Sequence, residues 1–339
     1  MTTISSSSAA DVSTLPLPPS RPHVIEDCRG TILLYSDGTV LRSPEPFIHV
    51  STAHDAEAEV DWRDVLYDPA HDLSLRLFKP RVINADEGKI PLLVYYHGGG
   101  FCLGSRTWPN FHSCCLRLAS SLHVIVASVD YRLAPEHKLP AAIQDGAASL
   151  LFLRDQWASD AWLAEHADPA RVFLSGESAG GNITHHMAVQ FGPTGLNPIR
   201  IRGSILLMPA FGGVERTKSE LECDKDSFLS LEQADQYCRL MLPRGATRDY
   251  PVFNPAGPEG PNLEAVETGP MLLVVAEKDM LKDREVEYAR RMREEWGKHV
   301  EVAEFEGQQH GFFAIDSWSE PADEVIRIMK QFMDEFGRD

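Results

Sequence analysis

The sequence predicts an α/β architecture: a mainly parallel central sheet with helices on both faces and a cap over one end. Three observations carry this prediction. Short apolar runs alternate along the chain with longer stretches of helical period. Several of those runs are apolar throughout, as strands covered on both faces must be. Residues 209–268 are too long for a plain crossover between strands, and such an excursion usually builds part of a cap.

Taken in order, residues 1–20 (MTTISSSSAADVSTLPLPPS) are rich in Ser and Pro and read as a disordered tail. Residues 21–339 read as one domain, in which 21–60 precedes the first clear strand and is expected to supply a second cap element. Residues 74–79 (SLRLFK) alternate with period two and stop at Pro80, which predicts an outer, half-exposed strand. The runs 91–96 (PLLVYY), 124–129 (VIVASV), 172–174, 204–208 (SILLM) and 271–276 (MLLVVA) predict buried strands. Residues 301–305 (EVAEF) alternate again and predict a strand near the sheet edge. Helical periodicity covers 107–121, 140–157, 179–191, 283–297 and 321–336, with a further stretch near 229–242 inside the long excursion. The last helix gathers Ile326, Met329, Phe332 and Met333 on one face.

Composition narrows the function. A chain of 339 residues, 43% hydrophobic and 24% charged, has the apolar mass for a large core. Fifty acidic against 32 basic residues leave a net charge of −18. Such a surface repels phosphate backbones and anionic lipid heads, so neither nucleic acid nor a membrane is expected as a partner, and a neutral small-molecule substrate is favoured over an anionic one. The six cysteines, at 28, 102, 114, 115, 223 and 238, include no C-x-x-C pair and are expected to be reduced thiols. The N-terminus lacks the basic and apolar regions of a secretory signal, and no apolar stretch approaches the ~20 residues that span a bilayer. A soluble protein of the cytoplasm, with the nucleus also open to it, is the expectation.

The chemistry rests on four motifs. Gly176-Glu177-Ser178-Ala179-Gly180 is a G-x-S-x-G pentapeptide between a strand-like run and a helical run. That setting is a nucleophile elbow, a turn so tight that the positions two before and two after the serine cannot carry bulky side chains. Ser178 is therefore the expected nucleophile. His97-Gly98-Gly99-Gly100 follows the central strand. Its glycines let backbone N–H groups approach a developing oxyanion, so Gly99, Gly100 and Ala179 are the expected hole, with Gly98 a further candidate. The pattern is not a dinucleotide loop, because Leu103 stands where a third glycine would be, and no lysine stands where a phosphate loop needs one. No cofactor and no metal are expected.

Chain order in such folds runs serine, acid, histidine. Of 13 histidines, His310 sits in the loop after the last strand and before the terminal helix, where the general base belongs. His97 is expected to be structural within its loop, and His185 and His186 to be surface or packing residues. Three carboxylates follow the strand 271–276: Glu277, Asp279 and Asp283. Asp279 lies in the loop just past the strand end and is the expected acid. Asp283 is expected to cap the next helix. Phe101, Trp108, Phe211, Phe253 and Phe312 are aromatic candidates for the rim of an apolar substrate pocket.

Together with Asp130-Tyr131-Arg132-Leu133-Ala134-Pro135-Glu136, the HGGG and GESAG motifs in this order resemble the hormone-sensitive-lipase-like branch of the α/β-hydrolases, and the chain from Glu26 onward is similar to plant carboxylesterases. Residues 36–42 (SDGTVLR), 104–112 (GSRTWPNFH), 215–217 (ERT) and 242–249 (LPRGATRD) resemble the carboxylesterases that inactivate strigolactone hormones. This resemblance implies an α/β-hydrolase fold, a Ser178–Asp279–His310 triad and hydrolysis of a neutral ester or lactone. That plant group can place Glu where this chain has Asp279. Gibberellin receptors share the fold without the catalytic histidine, so His310 argues against a receptor. Dehydratase-like relatives keep much of the machinery, whereas the intact triad and HGGG loop favour acyl transfer.

Overall fold

A computed structural model of the chain describes residues 21–43, 56–84 and 88–337. The expected tail, 1–20, lies outside the described residues, as does 44–55 of the expected N-terminal cap element. The chain divides after Ser43 into two compact units. The first is a small antiparallel sheet of β1 (Val24–Cys28), β2 (Ile32–Tyr35) and β3 (Val40–Arg42). Gly30, at φ 69°, allows the tight turn between β1 and β2.

The second unit is the α/β body. It runs through α1 (Ala56–Glu59), β4 (Val60–Asp68), β5 (Leu73–Pro80), β6 (Ile90–Tyr96), α2 (Pro109–Leu122) and β7 (Ile125–Val129). There follow α3 (Ala141–Gln156), α4 (Ala161–His166), β8 (Ala167–Glu177), α5 (Ala179–Phe191) and β9 (Ile201–Leu207). The remainder comprises α6 (Lys218–Leu221), α7 (Leu231–Met241), β10 (Met271–Ala276), α8 (Lys282–Glu294), β11 (Val300–Phe305), α9 (Phe312–Ile315) and α10 (Glu320–Phe336). Eight strands form one sheet in the order β11-β10-β9-β8-β6-β7-β5-β4, parallel from β11 to β7 and antiparallel at β5 and β4.

The continuous apolar runs are explained by cover on both faces. Successive strand residues point to opposite sides. Ile205, Leu207, Leu272 and Val274 pack in one cluster with Met329 and Phe332 of α10 and with the apolar side of α2. Their chain neighbours Leu206, Leu273 and Val275 pack in a second cluster with Tyr288 and Met292 of α8 and Ala188 of α5. Each such side chain contributes about 1.5–3 kcal/mol by leaving water, so neither face tolerates a polar residue cheaply.

One strand differs from expectation. Residues 74–79 do not form an outer, half-exposed strand, because β4 pairs outside β5 and covers it. Asp64 of β4 stands opposite Arg76 of β5 and takes its guanidinium in two bonds of 2.7 and 2.9 Å, while the Trp62 ring lies 4.0 Å from the same group. Arg76 is thereby buried and the true edge, β4, alternates exposed and covered residues. At the other side of the sheet β11 is the edge strand, as its alternation implies.

Parallel strands put their carboxyl ends together, and ligands bind there in open α/β sheets. The chain leaving β6 carries HGGG, that leaving β8 carries Ser178, and those leaving β10 and β11 carry Asp279 and His310. The long connection from β9 to β10 holds α6 and α7.

Candidate active site

Ser178 occupies the single position between the end of β8 and the start of α5, with φ 55° and ψ −116°. A non-glycine residue at positive φ is strained by roughly 1–3 kcal/mol and persists only where its surroundings hold it. Here the Ser178 N–H donates to the Leu207 carbonyl at 2.9 Å, and the Ser178 carbonyl accepts from Ala210 at 2.9 Å. A Cβ on Gly180 would strike the Tyr96 carbonyl, and one on Gly176 would strike that of Gly180. The two glycines are therefore a steric requirement of the turn.

The structure brings the three separated residues into one chain of hydrogen bonds. His310 Nε2 lies 2.9 Å from Ser178 Oγ, and His310 Nδ1 donates to Asp279 Oδ2 at 2.5 Å. Asp279 Oδ1 accepts from the Leu281 N–H at 2.9 Å, which fixes the carboxylate. With Nδ1 carrying its proton, Nε2 is left to accept from the serine hydroxyl. Burial alone would lower the His310 pKa, but the charge of Asp279 and its hydrogen bond more than offset it, and the net shift is upward from 6.5.

The competing carboxylates have other partners. Glu277 accepts from the Gly307 N–H at 2.6 Å. Asp283 does not cap α8: the cap position belongs to Leu281, and Asp283 lies in the first turn with its carboxylate on the Ser219 N–H at 2.8 Å, tying α8 to α6.

Gly99, at φ 114°, and Gly100, at φ 60°, line a cleft that also exposes Ser178 and His310, while Ala179 opens α5 directly after Ser178. Gly98 packs within 3.2 Å of the Glu177 carbonyl, measured to the place a Cβ would take. The loop is braced from behind. The His97 ring is buried, kept neutral by desolvation, with Nδ1 donating to the Gly98 carbonyl at 2.7 Å. Tyr131 and Ala134 of the DYRLAPE segment donate to the carbonyls of His97 and Phe101 at 2.7 and 2.8 Å. His97 is thus structural, as expected. His185 and His186 are packing residues, bonded to the Tyr288 hydroxyl and the Val252 carbonyl, each at 2.8 Å.

The cleft encloses about 1000 Å³ counting its open mouth, and its walls are mostly apolar. Phe101, Trp108, Phe211 and Phe253 line it. Phe312 belongs instead to the core, its ring 5.3 Å from that of Phe305, because α9 begins at this residue and turns it toward β11. The β9–β10 excursion supplies Phe228, Leu229, Tyr237 and Met241, and the Tyr237 ring sits so close over Gly100 that an added Cβ there would come within 2.7 Å. Lys138 donates to the carbonyls of Leu240 and Leu242 at 2.6 and 2.9 Å, neutralising the negative end of α7.

Two groups at the site have no role assigned from the motifs. Arg284 of α8 holds Glu220 at 2.6 Å and the carbonyls of Gly212 and Glu215 at 3.0 and 2.7 Å, which pins the excursion to the sheet edge. Glu177 is buried beside Ser178, accepts from the Ala314 N–H at 3.2 Å, and has its pKa pushed up to about 8 by desolvation. A serine hydroxyl, a base oriented by an acid, a glycine loop and the N–H of Ala179 at a helix start make up an arrangement able to carry out nucleophilic acyl transfer.

The chain belongs to the α/β hydrolase fold family, whose family model matches residues 93–314. It is similar to the probable carboxylesterase 6 of Arabidopsis thaliana, 38% identical over 267 residues that cover 78% of each protein. It is also 38% identical over 226 residues to the gibberellin receptor of Oryza sativa subsp. japonica, covering 66% of this chain and 62% of the receptor. Among solved structures, a thermostable carboxylesterase cloned from a metagenomic library superposes with a TM-score of 0.69 at 27% identity, over 82% of this chain and 90% of that one. Among the described residues no helix is long and apolar enough to cross a membrane.

Proposed function

We propose that this protein is a serine carboxylesterase acting on neutral, hydrophobic esters or lactones, with Ser178 as nucleophile, His310 as general base and Asp279 as the orienting acid. The observation that carries this reading is the unbroken contact from Ser178 Oγ through His310 to Asp279, at 2.9 and 2.5 Å. Ser178 Oγ attacks the ester carbonyl while its proton passes to His310 Nε2. The carbonyl electrons move onto oxygen, where the N–H groups of Gly99, Gly100 and Ala179 stabilise the charge. Collapse expels the alcohol, which takes the proton from His310 and leaves an acyl-Ser178. Water, deprotonated by His310, repeats the sequence and releases the carboxylic acid. Asp279 stays ionised throughout and stabilises the transient imidazolium.

For the substrate we propose a strigolactone, opened at an ester-type carbonyl. Support comes from the four resemblance segments at 36–42, 104–112, 215–217 and 242–249, from the apolar cleft, and from a net charge of −18 that disfavours anionic esters. The likeness to a gibberellin receptor favours a second reading, a receptor for a hydrophobic ligand. The contact between His310 and Ser178 weighs against it, since a receptor has no need of an oriented base. The discriminating experiment incubates the protein with a synthetic strigolactone analogue and with short p-nitrophenyl esters and follows products by mass spectrometry. Many turnovers of both, absent in Ser178→Ala, support the proposal. Cleavage of the p-nitrophenyl esters alone leaves the esterase without the hormone substrate. Stoichiometric binding without turnover favours the receptor.

A further inference from the structure

Glu285 lies on α8, six residues beyond Asp279, in a position where a glutamate on a charged helix would ordinarily face water. It does not. Its side chain is fully buried, and no N–H or O–H donor reaches either carboxyl oxygen. One of those oxygens lies in a cluster with a carboxyl oxygen of Asp279 and a ring nitrogen of His310, all within 4.8 Å of one another. A buried carboxylate left unpaired at that distance from a second carboxylate is too costly to persist, so the pair holds a single negative charge and one proton.

The charge belongs on Asp279, because Asp279 already accepts from His310 Nδ1 and from the Leu281 N–H, both of which favour its ionised form. The proton therefore belongs on Glu285. We propose that Glu285 is a positioning residue of the active site: as a neutral acid it donates its O–H to Asp279 and, with Leu281 and His310, fixes the carboxylate that orients the base. This inference rests on the triad reading above and adds a fourth member to it. The groups acting on Glu285 agree in direction. Desolvation and the neighbouring Asp279 raise its pKa, and only Lys282, at the head of the same helix, opposes them. His310 faces Asp279 from the loop after β11, and Glu177 reaches the same group from the end of β8.

The donor has a chemical consequence. A third hydrogen bond spreads the charge of Asp279 and tempers its pull on His310, which keeps the imidazole from becoming too basic to release its proton to the departing alcohol. The proton on Glu285 does not move during turnover. Because His310 Nδ1 donates to Asp279, the three residues act as a hydrogen-bond chain and not as a cation site.

The test compares Glu285→Gln with Glu285→Leu in the full chain. Gln keeps a neutral donor and should retain kcat within about threefold of wild type with an unchanged acid limb in kcat/KM. Leu removes the donor, and should lower kcat roughly tenfold with little change in KM and shift the acid limb to higher pH, as the more concentrated charge on Asp279 raises the His310 pKa. A Leu variant that folds with wild-type kcat and pH profile overturns the proposal. If that variant does not fold, infrared spectroscopy decides the matter: at pH 7 the difference spectrum between wild type and Glu285→Gln should show the loss of one buried protonated-carboxyl C=O band, the band of the protonated Glu177 being common to both proteins, and a difference spectrum without that loss overturns the assignment. The infrared readout needs no turnover. Failure of the triad reading would appear separately, as turnover surviving in Ser178→Ala.

Discussion

The Tyr131 hydroxyl donates to the His97 carbonyl at 2.7 Å, and its ring stacks on the His97 imidazole with centroids 4.3 Å apart. One side chain of the DYRLAPE segment thus fixes both the backbone and the side chain of the residue that starts the glycine loop. Gly99 and Gly100 have no side chains of their own to anchor them, so their N–H groups are aimed by what lies behind. Tyr131→Phe keeps the stacking and removes the hydrogen bond. It should lower kcat by about tenfold with KM nearly unchanged, because a misaligned oxyanion hole fails in the transition state more than in binding. Steady-state kinetics on a p-nitrophenyl ester check this.

The carboxylates near β10 should separate cleanly. Asp279→Asn replaces the acceptor of His310 Nδ1 with an amide and should lower kcat roughly 10³–10⁴-fold with the fold intact. In wild type, His310 must be neutral to act as base and its pKa is raised, so the acid limb of kcat/KM should lie above pH 6.5. Without Asp279, desolvation is opposed only by Glu177, and the residual activity should show that limb at lower pH. Asp283→Asn should change kcat less than threefold, since Asp283 serves the Ser219 N–H and not the base. Circular dichroism and pH–rate profiles of both variants measure these outcomes.

Glu177 makes stability depend on pH. Its folded pKa is pushed up to about 8 from an ordinary 4.5, so the folded chain keeps a proton that the unfolded chain releases. Stability attributable to Glu177 therefore falls as pH rises from 4.5 to about 8. Glu177→Gln retains an acceptor for the Ala314 N–H and has no proton to lose. It should be more stable than wild type by a few kcal/mol near pH 8, on the order expected from the shift, with the difference vanishing toward pH 5. Denaturant melts at several pH values read this directly.

The candidate site is legible in the sequence because most of its parts are local. The elbow is a steric requirement written into five residues, HGGG is written into four, and Asp279 and His310 follow from the order of strand ends. What was not legible depends on pairing or packing at a distance. β4 escaped because Asp64 interrupts the apolar alternation of Val60 and Trp62, and its meaning appears only opposite Arg76 of β5. Phe312 reads in the sequence as an aromatic of the pocket rim, but the start of α9 turns its ring into the core. No motif marks Glu285, Arg284 or Glu220, and charged residues ordinarily face solvent; only the seating of α8 and α6 against the site gives them partners.

The proposed catalysis passes through a covalent bond to Ser178. Its most direct test is intact-protein and peptide mass spectrometry after exposure to a phosphonate ester. One adduct per chain is expected, located on Ser178, formed in step with loss of esterase activity and absent from Ser178→Ala. An adduct on another serine, or full activity in protein whose Ser178 is modified, would contradict it.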